Sequence, residues 1–287
     1  MSPTLKACLW MIGSIASFSS MAVAGRELST SLDTFEIMMY RSMFGLVIVL
    51  LVAGFAGTLA QISTGHFRLH LVRNMAHFTG QNLWFYAVTV IPLAQVFALE
   101  FTSPLWVIVL SPLVLGERLT AMRGLAAVMG FTGILIVARP DMAGINAGVI
   151  TAASSAIFFA LTIMLTKKLT RTQSITCILF WLTAMQLVFG IFAAGYDGDV
   201  AIPTAGALPL VLLIGAAGLM AHFCMTNALS LAPATVVVPV DFFRLPTIAV
   251  VGMLLYQEPL EIQVFIGALI IFAGIYLNLW SETRRRN

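Results

Sequence analysis

Met75-Ala76-His77-Phe78 returns as Met220-Ala221-His222-Phe223, and Asn82 returns as Asn227, each 145 residues later. Beyond that stretch a second series repeats at a spacing of 141: Pro92, Glu100, Glu117 and Gly133 come back as Pro233, Asp241, Glu258 and Gly274. The change of offset predicts two copies that differ by four residues in the segment between. Both copies are built from apolar runs. A duplicated set of apolar helices is the pattern of a membrane transporter, whose site lies where the repeats meet.

Composition points the same way. Of 287 residues, 60% are hydrophobic and 9% charged, whereas soluble domains carry roughly 25% charged residues. The mean hydropathy is +1.00. The length accommodates about ten spans of ~20 residues and leaves nothing for a soluble domain. The expected fold is an all-α membrane protein of ten transmembrane helices. Residues 1–138 form the first five-helix repeat, residues 144–282 the second, and 283–287 a basic cytoplasmic tail. Apolar stretches fall near 5–25, 34–56, 71–91, 93–115, 120–138, 145–167, 174–195, 206–231, 234–256 and 260–281. Ile91-Pro92 and Ala232-Pro233 read as tight hairpins in matching places. Lys6 and Ala22-Val23-Ala24 mimic a cleavable signal, but the apolar run exceeds the ~7–15 residues of an h-region. It is read as the first span. Cys8, Cys177 and Cys224 lie in apolar runs and are read as packing residues.

Basic residues orient the chain. With the N-terminus in the cytoplasm, eleven of the fifteen Lys and Arg fall inside: Lys6, Arg68, Arg73, Arg118, Arg123, Lys167, Lys168, Arg171 and Arg284 to Arg286. Arg26 and Arg139 fall outside, and Arg41 and Arg244 lie within spans. This positive-inside bias puts both termini in the cytoplasm. Five spans per copy is odd, so the second copy enters from the opposite side. The repeats are therefore inverted, an arrangement that supplies alternating access.

The motifs exclude several classes. There is no His-Glu-x-x-His, no Gly-x-Ser-x-Gly, no intramembrane aspartate pair and no Walker A loop. Nucleotide-driven pumping is excluded on that ground; a channel and a membrane-embedded enzyme stay open as the rival readings. No cofactor, metal or nucleic-acid partner is expected. The partners are a small-molecule substrate and the lipid bilayer.

Leu115-Gly116-Glu117-Arg118-Leu119-Thr120, followed by Gly130-Phe131-Thr132-Gly133-Ile134-Leu135-Ile136-Val137, resembles the fourth-to-fifth helix signature of the drug/metabolite transporter superfamily, EamA type. Gln257-Glu258-Pro259-Leu260 through Gly267 and Gly274 resembles its second copy, and Arg41 matches the arginine these transporters carry in the second helix. The copies depart from each other at Gly116 against Gln257 and at Glu100 against Asp241. The resemblance implies transport of small metabolites, commonly amino acids, across the bacterial inner membrane, often outward. The ten-helix aromatic amino-acid exporters are similar in length. No motif separates them from carriers of riboflavin, adenosylmethionine or nucleotide derivatives.

Charges at mid-bilayer cost ~2.5–3.5 kcal/mol or more, so those retained carry information. Glu100 lies in the fourth span, Asp241 and Arg244 at similar depth in the ninth. His77, Gln81 and Asn82 lie in the third, His222 and Asn227 in the eighth. This convergence predicts a polar cavity between helices 3, 4, 8 and 9, completed by 1 and 6. Its candidate lining is His77, Gln81, Phe97, Glu100, Phe101, Phe159, His222, Asp241 and Arg244. Glu100 is expected either to hold a substrate amine or carry a proton, or to pair with an arginine and lock two helices. Asp241 and Arg244, three apart on a helix, can pair with each other, or Arg244 can take a carboxylate. The histidines and asparagines are expected to bond neighbouring helices, and Arg41 to snorkel or pair with Glu36. Pro104, Pro112, Pro239 and Pro246 are expected to break the fourth and ninth helices near the site. Phe97, Phe101 and Phe159 would suit flat or apolar side chains.

Overall fold

The computed structural model describes residues 3–115, 121–138, 146–169, 171–196, 198–231, 240–241 and 243–286. Among them are eleven α-helices, one short 3-10 turn at Leu59–Gln61 and no strand. In chain order these are α1 (Pro3–Leu28), α2 (Thr34–Phe55), α3 (Phe67–Val90), α4 (Leu93–Glu100), α5 (Ser103–Leu115), α6 (Ala121–Ala138), α7 (Ala147–Leu169), α8 (Ile175–Ala194), α9 (Leu208–Leu231), α10 (Arg244–Tyr256) and α11 (Ile262–Arg286). Six segments are long and apolar enough to cross a membrane, and 124–137, 244–256 and 262–277 are shorter apolar helices. The chain is an all-α membrane protein of two inverted five-pass repeats, with α4 and α5 as the two halves of the fourth pass. Helix α11 continues through the basic cluster to Arg286 instead of ending at 282.

The helix starts correct the sequence register. Thr34 and Ile175, Phe67 and Leu208, Ser103 and Arg244, and Ala121 and Ile262 are each 141 apart. No four-residue difference separates the copies. The motif of Met75 and Met220 is instead displaced by four residues, about one helical turn, along two helices that start in register. In the 141 register Gly218 stands where His77 does, and His222 stands where Gln81 does.

Packing obeys the same symmetry. The most extensive contacts join α1 to α9, α3 to α7, α2 to α8 and α6 to α11. Exchanging the repeats turns the first pair into the second and leaves the other two unchanged. Each large interface thus joins one repeat to the other. At α6 and α11 glycines let backbones touch: a Cβ on Gly133 would lie 2.6 Å from the Gly267 carbonyl, and one on Gly274 would lie 2.8 Å from that of Ala126. These contacts are symmetry mates, built by the small-residue packing that joins helices in lipid.

Local chemistry sets the helix ends. Asp33 and Glu36 form a capping box at α2, with both hydrogen bonds at 2.8 Å. Pro92 starts α4 at the tight hairpin; its partner at 232–233 lies outside the described residues. The fourth pass breaks at Phe101-Thr102. Pro104 has no N–H to give the Glu100 carbonyl four residues earlier, and its ring crowds that carbonyl. The Ser103 hydroxyl donates to it instead at 2.7 Å. Pro112 sits inside α5 without ending it. In the other repeat Val240 and Asp241 are helical, Phe243 is in a turn and helix resumes at Arg244. Pro246 removes the donor that would serve position 242. Pro239, Glu117 and the rest of Gly116 to Thr120 lie outside the described residues.

Candidate functional site

Two buried arginines define the interior. Arg244, at the start of α10, places Nη1 3.3 Å from Glu100 Oε1 and Nη2 3.2 Å from Asp241 Oδ2. Glu100 and Asp241 are symmetry mates, each at the lip of its helix break. The Trp84 indole donates to the second Glu100 oxygen at 2.8 Å. Phe18, Phe97 and Phe101 lie around the guanidinium, with ring centroids 4.7, 5.1 and 4.7 Å away. Such cation–π contacts strengthen to about 2 kcal/mol where water is removed. Phe97 and Phe101, expected from the sequence to line the site, lie against Arg244, another of the expected lining residues. The alternative expected for Glu100, an acid paired with an arginine across helices, describes the geometry present.

Arg41 lies deep in α2, 9% exposed. It neither snorkels nor pairs with Glu36, whose carboxylate accepts from Asp33 N and Ala201 N. Its Nη1 donates to Gln81 Oε1 at 2.6 Å. It also lines a cleft between α2, α8 and α9 with Ser42, Gly45, Thr183, Gln186, Gly218 and His222. Gln81 and His222 are symmetry mates. Arg244 thus pairs with both members of one mated pair, and Arg41 bonds one member of another and shares the cleft with its mate. The Arg244 cluster gathers Glu100, Asp241, Phe97 and Phe101 of the expected lining, and the cleft takes in His222 beside α2 and α8.

The remaining candidates scatter around these centres. His77 is buried near Phe159, ring centroids 6.2 Å apart, and neither of its nitrogens bonds a protein group. The interhelical bond expected of it does not form. His222 packs edge-on to Phe18 at 5.5 Å, between the cleft and the Arg244 cluster. Asn82 and Asn227 each donate one turn back in their own helices, to Phe78 O and Phe223 O at 2.8 Å. Arg73, counted with the cytoplasmic bases, is buried and donates to Thr166 and Asn74.

Sequence reasoning missed Gln186, Thr183 and Gly218, and gave Arg41 a structural role. An intramembrane arginine with no acid three or four residues away on its helix was the usable signal. Among the described residues no three His, Cys, Asp or Glu side chains gather to hold a metal.

At one end of the bundle Arg26 pairs with Glu258. It also donates to the Val88 and Ile91 carbonyls and lies 4.8 Å over the Tyr256 ring. Glu258 accepts from Leu93 N, the first amide of α4, at 2.9 Å. The ends of α1, α3, α4 and α10 are thereby tied together. In the 141 register the mates of Arg26 and Glu258 are Lys167 and Glu117.

The model of the EamA-like transporter family matches residues 5–139 and again 146–280, two segments 141 apart. The chain belongs to the EamA-like transporter family. Relatives cover nearly its full length. An S-adenosylmethionine uptake transporter of Rickettsia bellii is 25% identical over 96% of this chain and 94% of its own. A riboflavin transporter of Brucella anthropi is 29% identical over 93% and 96%. A pseudopaline exporter of Pseudomonas aeruginosa is 28% identical over 91% and 92%. One solved crystal structure superposes with a TM-score of 0.66 at 15% identity, covering 98% of this chain and 99% of that one, a likeness of fold. The protein is a multi-pass membrane transporter of small metabolites and not an enzyme.

Proposed function

We propose that this EamA-like protein is a secondary carrier, in the bacterial inner membrane, for small metabolites bearing an amino-acid moiety. Aromatic and neutral amino acids and S-adenosylmethionine are the first substrates to test, and export is the expected direction. The observation that carries the reading is the Glu100–Arg244–Asp241 cluster. It joins both repeats at their matched helix breaks, where an inverted-repeat carrier binds its cargo and rocks. The Arg26–Glu258 junction closes one end, which the positive-inside rule makes the periplasmic one. Opening and closing then alternate without nucleotide hydrolysis. Pseudopaline export by one relative supports the outward direction.

A second reading, uptake of S-adenosylmethionine, is favoured by the relatives of that name. Counterflow into proteoliposomes tests both. Labelled phenylalanine, tryptophan and S-adenosylmethionine should each be exchanged against internal unlabelled substrate, with saturation. Exchange of riboflavin alone would overturn the amino-acid assignment and leave the carrier. A flux that rises linearly with concentration would indicate a channel.

A further inference from the structure

Resting on the carrier reading above, we propose that Arg41 and Gln186 form the subsite for the substrate's carboxylate and its neighbouring hydrogen-bond donor, the two ends of an α-amino-acid head group. The argument begins with charge. Three arginines are buried among the described residues: Arg41, Arg73 and Arg244. Arg244 holds both Glu100 and Asp241. Arg73 is met by Asn74 Oδ1 at 2.7 Å and Thr166 Oγ1 at 3.1 Å. Arg41 has only the Gln81 amide oxygen and, at 3.9 Å, the Met38 sulfur. A guanidinium carries five donors in a fork that fits a carboxylate with two parallel bonds. Most of that capacity is unspent, in a place where an uncompensated charge is costly.

Space and acceptors match that charge. The Nη2 and Nε edge of Arg41 runs beside Gly218, where an added Cβ would lie 2.8 Å from Nη2 and 3.2 Å from Nε. The lack of a side chain at Gly218 gives the guanidinium the room it fills, and both residues line the same cleft. Across that cleft Gln186 is 1% exposed. Its Nε2 donates to Asn74 O at 3.1 Å, while its Oε1 has no partner among the described residues. Leaving a buried acceptor unpaired is costly, and an ammonium or amide N–H from the substrate would relieve it. Arg244 is the poorer carboxylate site, because two acids hold its edge and three rings surround it. Arg41 instead has an amide as its hydrogen-bond partner and shares a cleft with Gln186.

The experiment measures binding and counterflow on purified full-length protein. The probes are S-adenosylmethionine and L-phenylalanine, each compared with its decarboxylated analogue. Wild type should prefer the carboxylate form at least about tenfold, since a site built to bond a group rejects ligands that lack it. Arg41→Gln should reduce that preference to within about threefold, with Arg41→Lys between the two. Gln186→Leu should weaken both forms alike, by removing the partner of the amine they share. A wild type that binds both forms equally overturns the proposal without any variant. So does an Arg41→Gln protein of normal gel-filtration profile that keeps the full preference. Failure of every carboxylate to bind also overturns it, whereas continued exchange of riboflavin in that case would leave the carrier reading standing.

Discussion

Arg244 and Arg41 are the same side chain at similar depth, and their neighbours give them different work. Arg244 is neutralised by Glu100 and Asp241 and covered by rings; Arg41 is met by an amide. Glu100→Gln tests the first of these. The amide keeps the shape and can still accept from Trp84, and Asp241 still pairs with Arg244. Stability should therefore fall only by the about 1.5–3 kcal/mol typical of one charged hydrogen bond, read as a lowered melting temperature in detergent. Counterflow should drop at least about tenfold if the cluster must exchange partners during transport. Normal transport by Glu100→Gln between pH 5 and 8 would reduce the pair to a helix clamp. Sequence alone brought out Glu100, Asp241 and Arg244, because intramembrane charges stand out and two of them repeat. It misjudged Arg41, because Glu36 on the same helix offered an obvious partner. The structure uses that carboxylate at the helix cap and at Ala201 N instead.

Elements move as units in a carrier, so the contacts between their ends should set which side is open. The Arg26–Glu258 junction binds α1, the α3–α4 hairpin and the end of α10. Glu258→Gln should loosen it, and a cysteine replacing Ala94, which is 8% exposed in α4, should then react several-fold faster with a membrane-impermeant thiol reagent. Combining Arg26→Glu with Glu258→Arg should restore slow labelling; equal rates in all three proteins would make the junction passive. The α6–α11 crossing should behave differently. Gly133→Val drives a side chain into the Gly267 backbone. Overpacking of that kind costs about 1–3 kcal/mol, so melting temperature should fall while relative substrate preference stays unchanged. Unchanged melting would mean that the crossing yields. Helix bounds were legible to within a few residues, since apolar runs and prolines mark them. The helix break was placed less well. Proline acts on the carbonyl four residues before it, so Pro104 opens the chain at Glu100 rather than at itself. The repeated histidine motif also misled, because a one-turn displacement along two helices in register looks, in sequence, like an insertion.

For the whole molecule, symmetry and orientation are separate questions. The 141-residue register relates the repeats whichever way the chain is threaded, and an inverted pair looks alike from either side of the membrane. Only the basic residues distinguish the sides. That signal is weakened by Arg73, buried against α7 where it faces no lipid surface, and kept by Lys6, Arg68, Lys168, Arg171 and the run Arg284 to Arg286. The loop holding Asp199 has no base and should face the periplasm, together with the Arg26–Glu258 junction. Cysteines placed singly at Asp199 and Arg171, both exposed, decide the matter in intact cells with an impermeant maleimide. Native Cys177 and Cys224 are buried and Cys8 partly so, which keeps the background low. Asp199→Cys should label at once, and Arg171→Cys only after the membrane is opened with detergent. The reverse pattern would turn the molecule over and make the junction seen here a cytoplasmic closure. The same structure would then be a carrier shut toward the cell interior, and the expected direction of first binding would change with it.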